Sequence, residues 1–349
     1  MIKKKIEELQ GNEILAQPLM TWDYQIILPE GAVLRKEYIG KLEEIGILEV
    51  YIKQEKSNEI VILKSEVKDS IASKVRDILQ RNTYRRNNEK LEELCETADR
   101  IIENILNEEE IVERIYDIQE RNTDIYEHSI NICSLAILTS LKLQLDLDLI
   151  HDIGVGCLLH DIGLRYEAKD FSNMDVAQLN EQELVEYRKH PVYAYSSLME
   201  QNWISNRSKN IILYHHERLD GSGFPLRTRD LAIECRIVNV CDVFDEMICG
   251  IACKQVKVYE AIEYLKSLKG IQYDATVVDT FLGFTAVYPV GTKVRTNQGE
   301  IGVVVSQNKD FQDRPVIRIV KDKNGNDVSE ELIKDMVKIH NIFIDEVLD

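Results

Sequence analysis

The sequence predicts a mainly α protein: a helical block flanked by a small N-terminal α/β unit and a small C-terminal β barrel or sheet. Three observations lead there. Between residues 111 and 285 apolar side chains recur at helical spacing. Before residue 64, short β-rich runs are stopped by Pro and Gly. After residue 287, Val/Ile-rich runs alternate with turn residues. With 349 residues, 44% of them hydrophobic, the chain is long enough for two or three domains at about 100–200 residues each.

The elements follow in order. In the first unit, residues 1–64, Tyr24 to Leu28 reads as a strand stopped by Pro29-Glu30-Gly31. Tyr38, Leu42 and Ile45 share a helical face over 35–45, with Gly46 placed to end it. Leu48 to Ile52 alternates as a second strand. Residues 65–110 contain no Pro or Gly; Ile71, Val75, Ile78 and Leu79, then Ile101, Ile102, Ile105 and Leu106, repeat at helical spacing. They read as a pair of helices linking domains, and they also offer a surface for a homodimer. The run lacks the three or four clean heptads of a long coiled coil.

Residues 111–286 form the helical block, with helices expected over 125–143, 147–159, 181–199 (kinked at Pro191), 211–216, 237–247 and 258–268. Residues 287–349 change character. Strands are expected over 290–295, 301–306 and 315–320, with breaks at Gly291 and Gly299 and a hairpin turn at Asn324-Gly325.

Charge narrows the function. Lys and Arg total 43 and Asp and Glu 61, giving −18. Such a field repels polyanions, so DNA, RNA and anionic membrane are not the expected partners. No apolar run approaches the ~20 residues of a membrane span, and no apolar stretch follows the basic Met1–Glu8 segment. Seven cysteines, odd in number and without a C-x-x-C pair, suit reduced thiols and a cytoplasmic location.

The seven histidines are the main clue. His151 and His340 have no evident partner set and read as surface or capping residues. His128, His160, His190, His215 and His216 all fall in the helical block. His160-Asp161 follows the apolar run Val155 to Leu159 and is closed by Gly163, so two polar groups sit near the end of a buried helix, costly without a partner. Successive helical residues diverge by about 100°, so His215 and His216 share a site only near a helix end or around a wide site. Asp242 stands in another apolar helix. Five histidines and two aspartates exceed one tetrahedral zinc and suit two metals about 3.5–4 Å apart with a bridging carboxylate. Asp124, four residues before His128, shares its helical face as a further ligand. Spacing alone leaves such a site and a scatter of structural polar residues both open.

His128, His160-Asp161 and Asp242 together resemble the HD superfamily of metal-dependent phosphohydrolases. His190-Pro191 and the run His215-His216-Glu217-Arg218-Leu219-Asp220-Gly221-Ser222-Gly223-Phe224-Pro225 resemble its HD-GYP subfamily, bacterial phosphodiesterases of the second messenger cyclic di-GMP. The likeness extends to residues 15–52, similar to a small N-terminal region frequent in the family. It extends also to Tyr288 to Gly291 and Gly299 to Val304, similar to its C-terminal β module.

The resemblance implies a site. His128, His160, Asp161 and Asp242 match the core metal ligands, with Asp161 as the bridge; His190, His215 and His216 complete the second metal. Asp161 and His160 are the residues on which catalysis would rest. Asp124 matches a position where some members carry a Glu that supports a third metal, though Asp is one methylene shorter. Glu217 and Asp220 would hydrogen-bond imidazoles and orient them. Gly223, Phe224, Arg165 and Lys254 would lie on the substrate side. The resemblance favours two or three divalent ions, iron or manganese, while ligand type alone also admits Co, Ni or Zn. Two cations would generate hydroxide near neutral pH and neutralise charge on the phosphodiester.

Three departures stand out. The family's H-D-I-G-K is His160-Asp161-Ile162-Gly163-Leu164 here, so a phosphate-holding lysine is a leucine, with Arg165 adjacent. The GYP tyrosine is Phe224. After Asp242-Val243-Phe244-Asp245 the family commonly reads A-L-T-S-D-R-P-Y-R; here Glu246 to Lys254 follow, with Ile251 and Cys253 at the first arginine and the tyrosine and only Lys254 keeping a cation. The leading expectation is hydrolysis of cyclic di-GMP to pGpG, GMP or both. The alternatives are a non-catalytic sensor that keeps its metals and a hydrolase of another phosphoester nucleotide.

Overall fold

The structure is a computed structural model; it describes residues 91–107, 124–166 and 175–348, and residues 1–90 and 108–123 in part. It divides into two compact units, Met1–Glu59 and Ile60–Asp349.

In the first unit, β1 (Ile2–Lys5) and β2 (Ile14–Leu15) flank β5 (Glu49–Lys53) antiparallel, while β3 (Leu19–Met20) pairs with β4 (Ile26–Leu28). Ile6, Leu15, Leu34, Leu42 and Val50 form its buried core. Of the helix expected over 35–45, residues 38 and 40–42 are helical and the rest lie outside the described residues, as do Tyr24 and Gln25 of the first expected strand.

The second unit begins with α1 (Ser65–Arg85) and α2 (Glu93–Leu106). These helices pack into the bundle. Ile71, Val75, Ile78, Leu79, Leu94, Ile101 and Ile105 are buried in the same core as the helices that follow. At about 1.5–3 kcal/mol for each fully buried aliphatic side chain, that face is committed within the chain. Of the eight apolar positions from which the helical spacing was read, only Leu106 is exposed.

The bundle continues with α3 (Ile125–Lys142), α4 (Leu147–Leu159), α5 (Glu181–Tyr187), α6 (His190–Leu198), α7 (Asn206–Tyr214), α8 (Ile233–Cys249), α9 (Val258–Leu268) and α10 (Ala275–Leu282). Buried side chains surround α3 on nearly every side, so it forms the centre against which α4 and α8 pack. The expected kink in 181–199 is a break between α5 and α6, and Pro191 occupies the first turn of α6, where its missing N–H costs nothing. Helix α4 ends at Leu159 and tightens into a 3-10 helix, His160–Tyr166. This segment lies so close to α6 that a Cβ on Gly163 would fall 1.9 Å from the His190 carbonyl oxygen. Only glycine permits that approach.

The C-terminal module is a five-stranded antiparallel sheet in the order β10-β6-β7-β8-β9, made from β6 (Lys293–Thr296), β7 (Ile301–Asn308), β8 (Phe311–Lys321), β9 (Asp327–Asp335) and β10 (Ile344–Leu348). It is a sheet with two edges, and Gly325 adopts φ 84° in the β8–β9 turn. Val294, Val304, Ile317, Ile319, Met336 and Ile342 make its core. A backbone bond from Tyr116 N–H to the Phe284 carbonyl closes the bundle, and one from Val287 N–H to the Gln312 carbonyl ties the segment after α10 to β8.

Candidate metal centre

Seven of the eight expected ligands converge. His128 comes from α3, Asp242 from α8, His160 and Asp161 from the 3-10 helix after α4, His190 from the start of α6, and His215 and His216 from the end of α7. Ligand atoms of Asp161, His190, His215 and His216 lie within 4.8 Å of one another, and so do those of His128, His160 and Asp242. The placement of His215 and His216 past the last helical turn of α7 lets both face inward.

Asp161 joins the two sets. One carboxylate oxygen lies 3.1 Å from His160 Nε2; the other lies 3.4 Å from His190 Nε2 and 3.7 Å from His215 Nε2. Asp242 likewise puts Oδ1 3.3 Å from His128 Nε2 and Oδ2 3.6 Å from His216 Nδ1.

The backbone sets the tautomers. His160, His190 and His215 each place Nδ1 at 2.7–2.8 Å from the carbonyl three residues earlier, those of Cys157, Tyr187 and Ile212. A carbonyl only accepts, so Nδ1 carries the proton and Nε2 offers its lone pair to the site. His190 and His215 then hold two such nitrogens 3.1 Å apart, where a proton or a metal cation would relieve the repulsion of their lone pairs.

Electrostatics follows. Burial and the neighbouring rings push His215 down to about 3 and also lower His190 and His216, so all three stay neutral and ligand-competent. Burial opposes a charge on Asp161 too, but His160, His190 and His215 hold its carboxyl well below the usual range. Burial likewise disfavours charge on His128, yet the adjoining Asp242 and Asp245 carboxylates outweigh it and raise its pKa. His128 Nε2, His160 Nε2, His216 Nε2 and both Asp242 oxygens are buried without a hydrogen-bond partner. At about 1–3 kcal/mol for each unsatisfied group, the set as it stands is unfavourable. Imidazole nitrogens and carboxylates are ordinary donors to divalent ions, so the residues fit a metal.

Several expected roles change. Asp124 caps α3: its carboxylate accepts from the Tyr126 and Glu127 N–H groups and pairs with Arg76 at 2.6 Å, which turns it away from the ligand sets. Glu217 accepts from the Leu226 N–H at 2.6 Å and so closes its own loop rather than orienting an imidazole. Asp220 makes a local turn with Ser222. Gly223 is required by space, since a Cβ there would lie 2.5 Å from backbone atoms of His216, Glu217 and Arg218. The Phe224 ring stacks on His216 with centroids 4.6 Å apart, and the exposed Arg188 lies 5.6 Å over that ring. Lys254 is exposed in the turn after α8, and the Arg165 side chain lies outside the described residues. His151 pairs with Asp99 at 2.7 Å, a partner its sequence position did not suggest.

Two residues were missed. Asp245, buried, accepts from His128 Nδ1 at 2.8 Å and from Asn131. Glu246 brings a carboxylate to His216 and Asp242, and burial and Asp242 push it well above the usual range. The signal was present, because residues three and four after Asp242 share its helical face.

The HD domain family matches residues 100–277. The chain belongs to the HD-domain family. A KOW domain associated with HD domains matches residues 293–349, the C-terminal sheet. Cyclic di-GMP phosphodiesterase PA4108 of Pseudomonas aeruginosa is 32% identical over 52% of this chain and 44% of its own length. The cyclic di-GMP phosphodiesterase response regulator RpfG of Xanthomonas campestris is 32% identical over 42% of this chain and 40% of its own. The chain thus spans less than half the length of these curated relatives. The solved HDG"Y"P protein Bd1817 from Bdellovibrio bacteriovorus shares the fold, with a TM-score of 0.53 at 16% identity over 80% of this chain and 97% of that one.

Proposed function

We propose that this HD-domain protein is a metal-dependent phosphodiesterase of cyclic di-GMP, cutting it to pGpG, GMP or both. The observation that carries the reading is the Asp161 carboxylate, whose two oxygens face two separate histidine sets. In this reading His128, His160 and Asp242 would hold one iron or manganese ion and His190, His215 and His216 a second, with the Asp161 carboxylate facing both sets. Bound there, such ions would lower the pKa of a water and neutralise charge on the phosphodiester. The protein contributes orientation: the Nδ1–H to carbonyl bonds fix three rings, Asp245 fixes a fourth, and burial keeps His190, His215 and His216 neutral. The names of the relatives support a cyclic dinucleotide as substrate.

The test is chromatographic. Metal-loaded protein should convert cyclic di-GMP to linear product, and Asp161→Ala should abolish the conversion. Substrate left uncut over hours by protein with its metals bound would overturn catalysis. A second reading, a nucleotide-binding protein without turnover, is favoured by the substrate side: Leu164 and the buried Ile251 offer no cation. Calorimetric binding without hydrolysis would select it.

A further inference from the structure

We propose that Tyr187 presents its phenolic O–H to the phosphodiester at the metal centre, donating to a non-bridging oxygen that gains charge as the phosphorus is attacked. This contact presupposes the phosphodiesterase reading above and names a substrate-facing group within it. Tyr187 closes α5, three residues before His190, and is 6% exposed. Its carbonyl accepts from His190 Nδ1 at 2.8 Å, which ties its backbone to an imidazole of the metal set. Its ring lies edge-on to His190 with centroids 5.0 Å apart, and stands 6.4 Å from His216 and 6.2 Å from Phe224. Phe224 in turn stacks on His216 at 4.6 Å and lies 6.2 Å from His190. Tyr187 and Phe224 thus wall the same two imidazoles, and of these two rings only that of Tyr187 carries an oxygen.

The surroundings suit a neutral donor. Burial and the carboxyl groups of Glu246, Asp161 and Asp242 hold the Tyr187 phenol well above its ordinary range, which places its hydroxyl within their reach. A lysine or arginine here would pair with Asp161 or Asp242 and compete with metal ions for their oxygens. A phenol is uncharged at neutral pH and keeps its proton to donate, so it meets a phosphoryl oxygen without drawing a ligand away. A preorganised donor aimed at developing charge acts on kcat rather than on ground-state binding. Packing against His190 and His216 needs only a ring, as Phe224 shows. The oxygen at 187 is what separates a substrate contact from packing.

Turnover of cyclic di-GMP by the manganese-loaded full chain, with metal content measured alongside by elemental analysis, tests this. Tyr187→Phe keeps the ring and removes one oxygen. It should hold as much metal as wild type and lower kcat about 10- to 100-fold, with KM changed by no more than about twofold. Vanadate, which takes the five-coordinate geometry of the transition state, should bind Tyr187→Phe about tenfold more weakly in calorimetry. Tyr187→Leu, which removes the ring as well, should also lose metal. Wild-type kcat and vanadate affinity in Tyr187→Phe would overturn the hydroxyl contact and leave the phosphodiesterase reading standing. Equal loss of metal in Tyr187→Phe and Tyr187→Leu would overturn it too and assign the hydroxyl to holding the fold. A wild type that holds metal and leaves cyclic di-GMP uncut would overturn the phosphodiesterase reading and this inference with it.

Discussion

His128 Nδ1 lies 2.8 Å from Asp245 Oδ2, with both side chains fully buried. The carboxylate fixes the ring so that Nε2 points at Asp242 and the metal set. Asp245→Asn keeps the shape and removes the charge. Loss of such an outer partner costs about 10- to 100-fold in metal affinity. Competition against a chromophoric chelator should show that loss with the helical content unchanged. Unaltered affinity would mean that packing alone orients His128.

The approach of the 3-10 helix to α6 predicts the behaviour of Gly163. An added Cβ would meet the His190 carbonyl carbon at 2.7 Å as well as its oxygen at 1.9 Å. Overpacking of this kind costs about 1–3 kcal/mol or more, and the element that must move carries Asp161. Gly163→Ala should therefore lower both the unfolding midpoint and metal content. A midpoint within a degree of wild type would show that the two segments separate easily.

These two cases also show what the sequence makes legible. The ligands were readable because His and Asp in apolar helices need partners, and the run from His215 to Pro225 is long and ordered. The helices at 147–159 and 258–268 were readable to the residue from their apolar spacing. Asp124 was misplaced because a face shared with His128 is compatible with both a metal and an N-cap, and the deciding cation, Arg76, lies 48 residues away. Helices α1 and α2 were read as a linker because amphipathic spacing gives a buried face without naming what buries it. Glu217 went to a backbone N–H nine residues on, a choice made by the loop closure that Gly223 allows.

The thiols carry a pH prediction. Cys95 is partly exposed, and burial together with Asp99 and Asp152 pushes it up to about 11. Only the thiolate alkylates, so at pH 8 Cys95 should react roughly 100-fold more slowly with iodoacetamide than a thiol of ordinary pKa 9.0. The rate should climb about tenfold per pH unit up to that pKa. Fast labelling at pH 8 that levels off near pH 9 would show that neither burial nor the acidic neighbours raise it. Cys133, Cys157 and Cys241, fully buried and raised further, should label only on unfolding.

The substrate side sets the last prediction. Leu164 offers no donor, and Ile251 is buried, while the exposed Arg188 over the Phe224 ring places a cation beside the His190–His216 set. A charge-assisted contact to phosphate is worth about 1.5–3 kcal/mol, or roughly 10- to 100-fold. On the proposed reading, in which Arg188 meets a substrate phosphate in both ground and transition states, Arg188→Ala should raise KM for cyclic di-GMP about tenfold with kcat little changed. Leu164→Lys should move KM the other way, since the 3-10 helix that carries it also carries Asp161. If both substitutions leave KM unchanged while turnover remains metal-dependent, phosphate is held by the metals alone and the departures at 164 and 251 cost this protein nothing in substrate affinity.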